Sequence, residues 1–200
     1  MKTDLCLKDA PEAKLSNTID MGLGFSGMIR LFKHDEKRKL QEKLCSDIQK
    51  VFKAESEAEF KGIHSRFCKW GTREMILAKK KGKEETVHAS YGQIAKTLNV
   101  VLKVTVYYCR LPNCKKSEQI SRWLDAAVDT EMMKFLKKHY PEDIKRWPTT
   151  IKGVDGSTYK KIQEVVRKFI KEKHRGNITP VQFDDIYWNA FKNRRDAYQK

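Results

Sequence analysis

Residues 157–174 constrain the fold most. Tyr159, Ile162, Val165, Val166, Phe169 and Ile170 recur at the spacing of a single helix face. Lys160, Lys161, Arg167, Lys168 and Lys171 occupy the opposite sector, with only Glu164 among them. A helix patterned in this way must bury one side against other elements and keep the other in water. Gly176 suits its C-terminal stop, and Thr179-Pro180 with Gln182 supplies a capping box for a following helix. That last helix presents Val181, Phe183, Ile186, Tyr187 and Phe191 to a core and runs out at Lys192-Asn193-Arg194-Arg195.

The same period appears upstream. From Asp35, the residues Leu40, Leu44, Ile48 and Val51 define one apolar face, and Ser56 with Glu59 forms a capping box for a second helix through Phe60, Ile63, Phe67 and Trp70. A short segment from Thr72 to Ala78 leads into Lys79-Lys80-Lys81-Gly82-Lys83, read as a loop or a frayed helix end. Residues 87–109 contain no proline. Val100 to Tyr108 has strand propensity, yet Ala95, Leu98, Val101, Leu102, Thr105 and Cys109 fall on one side at 100° per residue, which favours a helix. Ser117 and Asp129 are candidate N-caps of two further helices. No βαβ pattern or internal repeat is present. The expected architecture is all-α: one helical domain of about six to eight helices over residues 30–200, preceded by a weakly structured lead, 1–29, broken by Pro11 and by Gly22, Gly24 and Gly27.

Charge sets the functional expectation. The chain carries Lys+Arg 42 against Asp+Glu 26, a net +16 over 200 residues. The lead holds three lysines against four acids, so the surplus belongs to the folded body. Such a surplus attracts polyanions. The cationic face of 157–174 extends over roughly 17 Å at 1.5 Å per residue, enough to follow several backbone phosphates. A solvated lysine-rich face is the plainer alternative. On the 87–109 helix, Lys96, Asn99 and Lys103 form a thin polar stripe with Gly92, which either faces solvent or lines a polar groove. The expected function is binding of DNA or RNA through backbone phosphates, with Lys96, Asn99, Lys103, Lys160, Lys161, Arg167, Lys168 and Lys171 as contacts. Docking of an acidic protein is an alternative, and a homo-oligomer is compatible with the sequence.

Tyr91-Gly92-Gln93-Ile94-Ala95-Lys96-Thr97-Leu98-Asn99, followed by Leu102-Lys103, resembles a helix of a group of short uncharacterised bacterial proteins reading approximately G-x-A-x-K-x-x-N-x-x-L-K, with a departure at Gln93-Ile94. Pro180, Phe183, Asp184, Tyr187 and Trp188 resemble the closing segment of the same group. The resemblance brings no activity with it. It marks Lys96, Asn99 and Lys103 as a site or a structural junction.

An enzymatic alternative rests on Arg167 and His174, seven residues apart on one helix. Their spacing resembles the Arg-x(4–6)-His arrangement of the all-helical HEPN-type ribonucleases, which implies histidine-assisted proton transfer at a 2′-hydroxyl and arginine stabilisation of phosphorane charge. Lys168 replaces the polar residue that often follows that arginine.

His64 and Cys68 at i, i+4, with Cys109 and Cys114, supply the residue types of a Cys3His zinc site, but the spacing is looser than in strong zinc signatures. Buried structural cysteines are the default, and neither metal nor cofactor is expected. Glu142-Asp143-Ile144-Lys145 lacks the sheet and the upstream acid of a metal-dependent nuclease, and Gly153–Ser157 lacks the lysine of a phosphate loop. Trp70, Trp123, Trp147 and Trp188 are dispersed and read as packing residues. Five cysteines in no disulfide-framework spacing, with neither a secretory leader nor an apolar run of membrane length, point to the cytoplasm.

Overall fold

The helix that carries the polar stripe is also the one most enclosed by its neighbours. Ser90 accepts the Gln93 amide at 3.3 Å while the Gln93 side chain takes the Ser90 N–H at 2.9 Å, a reciprocal cap that starts α4, Tyr91–Leu102. Nine residues of α4 are buried, on every side of the helix, so it is packed all round rather than on one face. The computed structural model describes residues 10–78 and 86–198, and the Lys79–Lys83 run lies outside the described residues.

Around α4 stand α1 (Ala10–Ser26), α2 (His34–Lys53), α3 (Glu57–Glu74), α5 (Cys114–Ser121), α6 (Thr130–His139), α7 (Gly156–His174) and α8 (Pro180–Tyr198). The fold is all-α, with isolated bridges Phe32 to Leu77 and Ile76 to His88 but no strand among the described residues. Helices α1, α3 and α7 pack directly on α4, α2 packs on α1 and α3, and α8 closes over α7. Ile19, Leu40, Leu44, Ile48, Phe60 and Phe67 are among the fully buried side chains of one continuous core. None of the described helices is long and apolar enough to cross a membrane.

The weakly structured lead expected over 1–29 is overturned from residue 10 onward. Residues 10–26 form α1, which buries Leu15, Ile19 and Leu23. The glycines read as helix breakers have another role at Gly22: a Cβ there would lie 2.7 Å from the Val101 Cα, so its absence lets α1 lie against the α4 backbone. Gly27, with φ 64°, ends the helix as expected of a left-handed glycine.

Helix 87–109 is likewise shorter and less regular than its periodicity suggests. Beyond Leu102 the chain continues as a π-helical turn, Lys103–Tyr108, in which the Cys109 N–H donates to the Val104 carbonyl at 2.9 Å. The Thr105 hydroxyl donates to the Val101 carbonyl at 2.9 Å, occupying the acceptor that a regular turn gives to the backbone.

Local capping follows the side chains available. Ser56 caps α3 as expected, but the Glu59 carboxylate takes the Glu55 N–H instead of returning to Ser56. Asp129 caps α6 and Thr179 with Gln182 caps α8, both as expected. Asn113 starts α5, leaving Ser117 inside the helix, and α3 runs on through Thr72 to Glu74. Arg175 and Gly176, both with positive φ, end α7.

Candidate functional site

Asp125 belongs to a stretch between α5 and α6 that has no repeating structure, so its buried peptide groups need partners from elsewhere. Gln163 provides them. Its side-chain oxygen accepts the Ala126 N–H at 3.1 Å and its amide donates to the Ala126 carbonyl at 3.0 Å. Asn99 donates to the same carbonyl at 3.0 Å. Helices α4 and α7 thereby clamp one residue of the connecting segment between them.

That carbonyl fixes the polarity of everything behind it. It can only accept, so the Asn99 amide nitrogen faces it and the Asn99 oxygen faces His64 Nε2 at 2.8 Å. His64 therefore carries its proton on Nε2, and its Nδ1 lone pair faces the Cys68 thiol at 3.7 Å. Asn99 also donates to the Tyr159 hydroxyl at 2.9 Å, which in turn donates to Asp125 Oδ2 at 2.9 Å. The His64 and Tyr159 rings stack with centroids 5.4 Å apart.

On the other carboxylate oxygen, Lys61 Nζ stands at 2.6 Å and both Arg167 terminal nitrogens at 3.0 Å. Lys61 also donates to the Trp123 carbonyl. Burial by itself would raise the Asp125 carboxyl, but the surrounding cations, Lys61 foremost, outweigh it and hold the group below the usual carboxylate value. His64 is pushed down, chiefly by burial, and is neutral. Burial also pushes the Tyr159 hydroxyl and the Cys68 thiol well up, so neither ionises near neutrality. The network opens into a cavity of about 330 Å³ whose walls include Lys61, Tyr91, Asp125, Lys160 and Arg167. Chemically it is a neutral histidine–amide–phenol chain ending in one compensated carboxylate, with cations at its mouth.

The residues expected to contact phosphate separate into three groups. Asn99 is interior and committed to the network just described. Lys96 and Lys103 are largely covered. Lys96 lies 3.9 Å from Asp129, and Lys103 reaches Asp184 and Asp185. On α7, Arg167 turns to Asp125 and Lys168 to Asp143 at 2.8 Å, while Lys160, Lys161 and Lys171 are exposed and have no carboxylate partner among the described residues. Arg167 and His174 line different cavities. His174 borders an apolar one of about 380 Å³ with Phe135, Phe169 and Phe183.

Among the described residues no three His, Cys, Asp or Glu side chains are placed to hold a metal ion. His64 and Cys68 are interior, whereas Cys114 is exposed. Asp143 stands on a short 3-10 turn as the partner of Lys168.

Sequence reasoning missed Asp125, Tyr159, Gln163 and Lys61. One signal was present: Tyr159, Gln163 and Arg167 recur at i, i+4, i+8 along one edge of the α7 apolar face. Comparison with protein-family models, with curated proteins and with solved structures finds no match.

Proposed function

We propose that the protein binds nucleic acid through its backbone phosphates, with Lys160, Lys161 and Lys171 of α7 as the contacts. The observation that carries this reading is how the cations of α7 are distributed. Of the five in the sector opposite the apolar face, two are spent on Asp125 and Asp143, and the other three point to water without a carboxylate partner among the described residues. From Lys160 to Lys171 the helix rises about 16 Å at 1.5 Å per residue. The net charge of +16 supports the same partner class. Contacts of this kind position a protein on a polyanion without reading its bases. The Asp125 and Gln163 contacts serve the interface indirectly, holding α7 at a fixed orientation.

The test is fluorescence anisotropy of labelled single- and double-stranded DNA and RNA across a salt series, with the unaltered chain and with a Lys160→Ala/Lys161→Ala/Lys171→Ala variant. Each phosphate contact contributes about 0.9 to the salt slope on duplex DNA and about 0.7 on single strands. The variant is expected to lose roughly 2 to 3 from that slope while remaining folded. An unchanged slope would remove α7 from the interface. Absence of any binding at about 150 mM salt would end the reading.

A further inference from the structure

A third cavity, of about 550 Å³, opens between α4 with its π-helical continuation, α8 and the end of α1. Phe25, Tyr108 and Trp188 stand on its walls, one from each of those three elements. Their exposures are 71%, 54% and 50%, and they belong to the small set of large apolar side chains that the described surface leaves in water. Such residues scattered singly are ordinary, whereas three aromatic rings around one cavity form a recognition surface. The tryptophans are too dispersed in sequence to suggest a stacking platform; here a single tryptophan is joined by a phenylalanine and a tyrosine from distant segments.

The polar groups of the cavity decide what kind of ligand suits it. Lys103 Nζ lies 2.6 Å from Asp184 and also contacts Asp185, and Lys96 lies 3.9 Å from Asp129. Lys103 additionally stands 5.7 Å over the Tyr108 ring. An organic cation entering here would meet the Lys103 ammonium where it needs the aromatic face. An anion would meet three carboxylates. A neutral, flat heteroaromatic ring avoids both conflicts: its faces stack on aromatic side chains, its N–H edge meets carboxylate oxygens, and its ring acceptors meet lysine.

We infer that this cavity takes one unstacked nucleobase. The inference rests on the nucleic-acid reading given to α7 and deepens it, because it makes the preferred form single-stranded. The two sites share a wall. Asp125 lines the α7 cleft and Ala127 lines this cavity, with Ala126 between them held by Gln163 and Asn99. A strand seated on the α7 lysines therefore has a base pocket fixed to the same clamped segment.

The experiment uses the full chain with a mixed-sequence single strand, an abasic strand of equal length and, separately, free nucleoside monophosphates followed by intrinsic fluorescence. The base-bearing strand is expected to bind at least about fivefold more tightly than the abasic one, the effect of one stacked base. Tyr108→Ala and Phe25→Ala, both at exposed positions, should erase that margin while leaving abasic binding and its salt slope unchanged. Tyr108→Phe should keep the margin. Equal affinity for the two strands overturns the base cavity and leaves the phosphate reading standing. Tyr108-dependent binding of mononucleotides without binding of either strand supports the cavity, identifies free nucleotide as the source of the base and overturns the phosphate reading. Binding of neither ends both.

Discussion

Tyr159 and Asp125 are joined by one hydrogen bond, hydroxyl to Oδ2 at 2.9 Å, and that bond links the neutral half of the buried network to its charged half. On the neutral side the hydroxyl accepts from Asn99, whose orientation is fixed by the Ala126 carbonyl. On the charged side the carboxylate is shared by Lys61 and Arg167. A phenol suits this junction because it accepts and donates through a single oxygen, and burial keeps its proton in place.

Tyr159→Phe keeps the ring stacked on His64 but removes that oxygen. The Asn99 amide and Asp125 Oδ2 each lose a partner in a buried setting, at about 1–3 kcal/mol for an unsatisfied group. A loss of about 2 kcal/mol in urea unfolding, with unchanged m-value, is expected. Tyr108→Phe removes a hydroxyl that donates to Asp185 at a solvent-exposed position, where no buried group is left unsatisfied, so it should cost no more than about 1 kcal/mol. Equal effects at the two positions would contradict the network.

His64 makes the fold sensitive to mild acid. Its folded value is pushed below the unfolded value of about 6.5, so as pH falls the unfolded chain takes up the proton first. The contribution is complete above pH 6.5 and declines below it, by no more than about 1.4 kcal/mol per pH unit. Asp125 acts in the same direction lower down, because its folded value also lies beneath the ordinary carboxylate value of about 3.9. Unfolding free energies of the unaltered chain and of His64→Gln between pH 7 and pH 5 should show a flatter profile for the variant. Parallel profiles would assign the dependence to another group.

The all-α class, the N-caps Ser56, Asp129 and Thr179, and the extent of α7 were legible because each depends on residues within one or two turns. The lead was misjudged at Gly22. A local reading sees a flexible residue, and only the approach of Val101 reveals a contact that excludes a Cβ. The polar stripe of α4 was recognised, but its division was not. Whether Asn99 meets solvent or Ala126 depends on a segment 27 residues away. Likewise the five cations opposite the apolar face of α7 look equivalent in sequence, and partners on other elements, Asp125 and Asp143, set two of them apart.

Gly92 is expected to be intolerant where Gly24 is accommodating. A Cβ at Gly92 would lie 2.5 Å from the Ile151 carbonyl oxygen and 2.7 Å from Val154 Cβ. A backbone atom cannot swing away as a side-chain tip can, so Gly92→Ala should cost at least about 1–3 kcal/mol through forced movement of the 151–154 turn. At Gly24, inside α1, an added Cβ meets nothing within 4 Å. Gly24→Ala should therefore stabilise by about 0.5–1 kcal/mol, the usual gain over glycine in a helix. Thermal unfolding of the two variants checks the pair. Destabilisation by both would mean that α1 needs its glycine for something other than space.

Lys103 is the cation that keeps Asp184 and Asp185 together on α8. Burial would lower the lysine, but the two carboxylates more than offset this and hold it above its ordinary value. Asp184 is shifted upward, by burial first and then by Asp185 and Asp129, with Lys103 the opposing influence. Lys103→Met keeps much of the side-chain length and removes the charge, so the folded Asp184 carboxyl should rise further above its unfolded value. A carboxyl raised in this way favours the fold below its unfolded value, and that contribution is lost as pH rises through the folded one. Lys103 is 13% exposed by side chain, so near neutral pH the variant should be less stable by about 3–5 kcal/mol, the cost of breaking a buried pair. The gap should narrow as pH falls toward 4, where the Asp184 carboxyl takes up a proton and no longer needs the ammonium. Unfolding free energies of both proteins at pH 7.5 and pH 4.5 test this, and a difference of equal size at the two values would show that packing of the lysine stem, and not its charge, holds α8 against the π-helical turn.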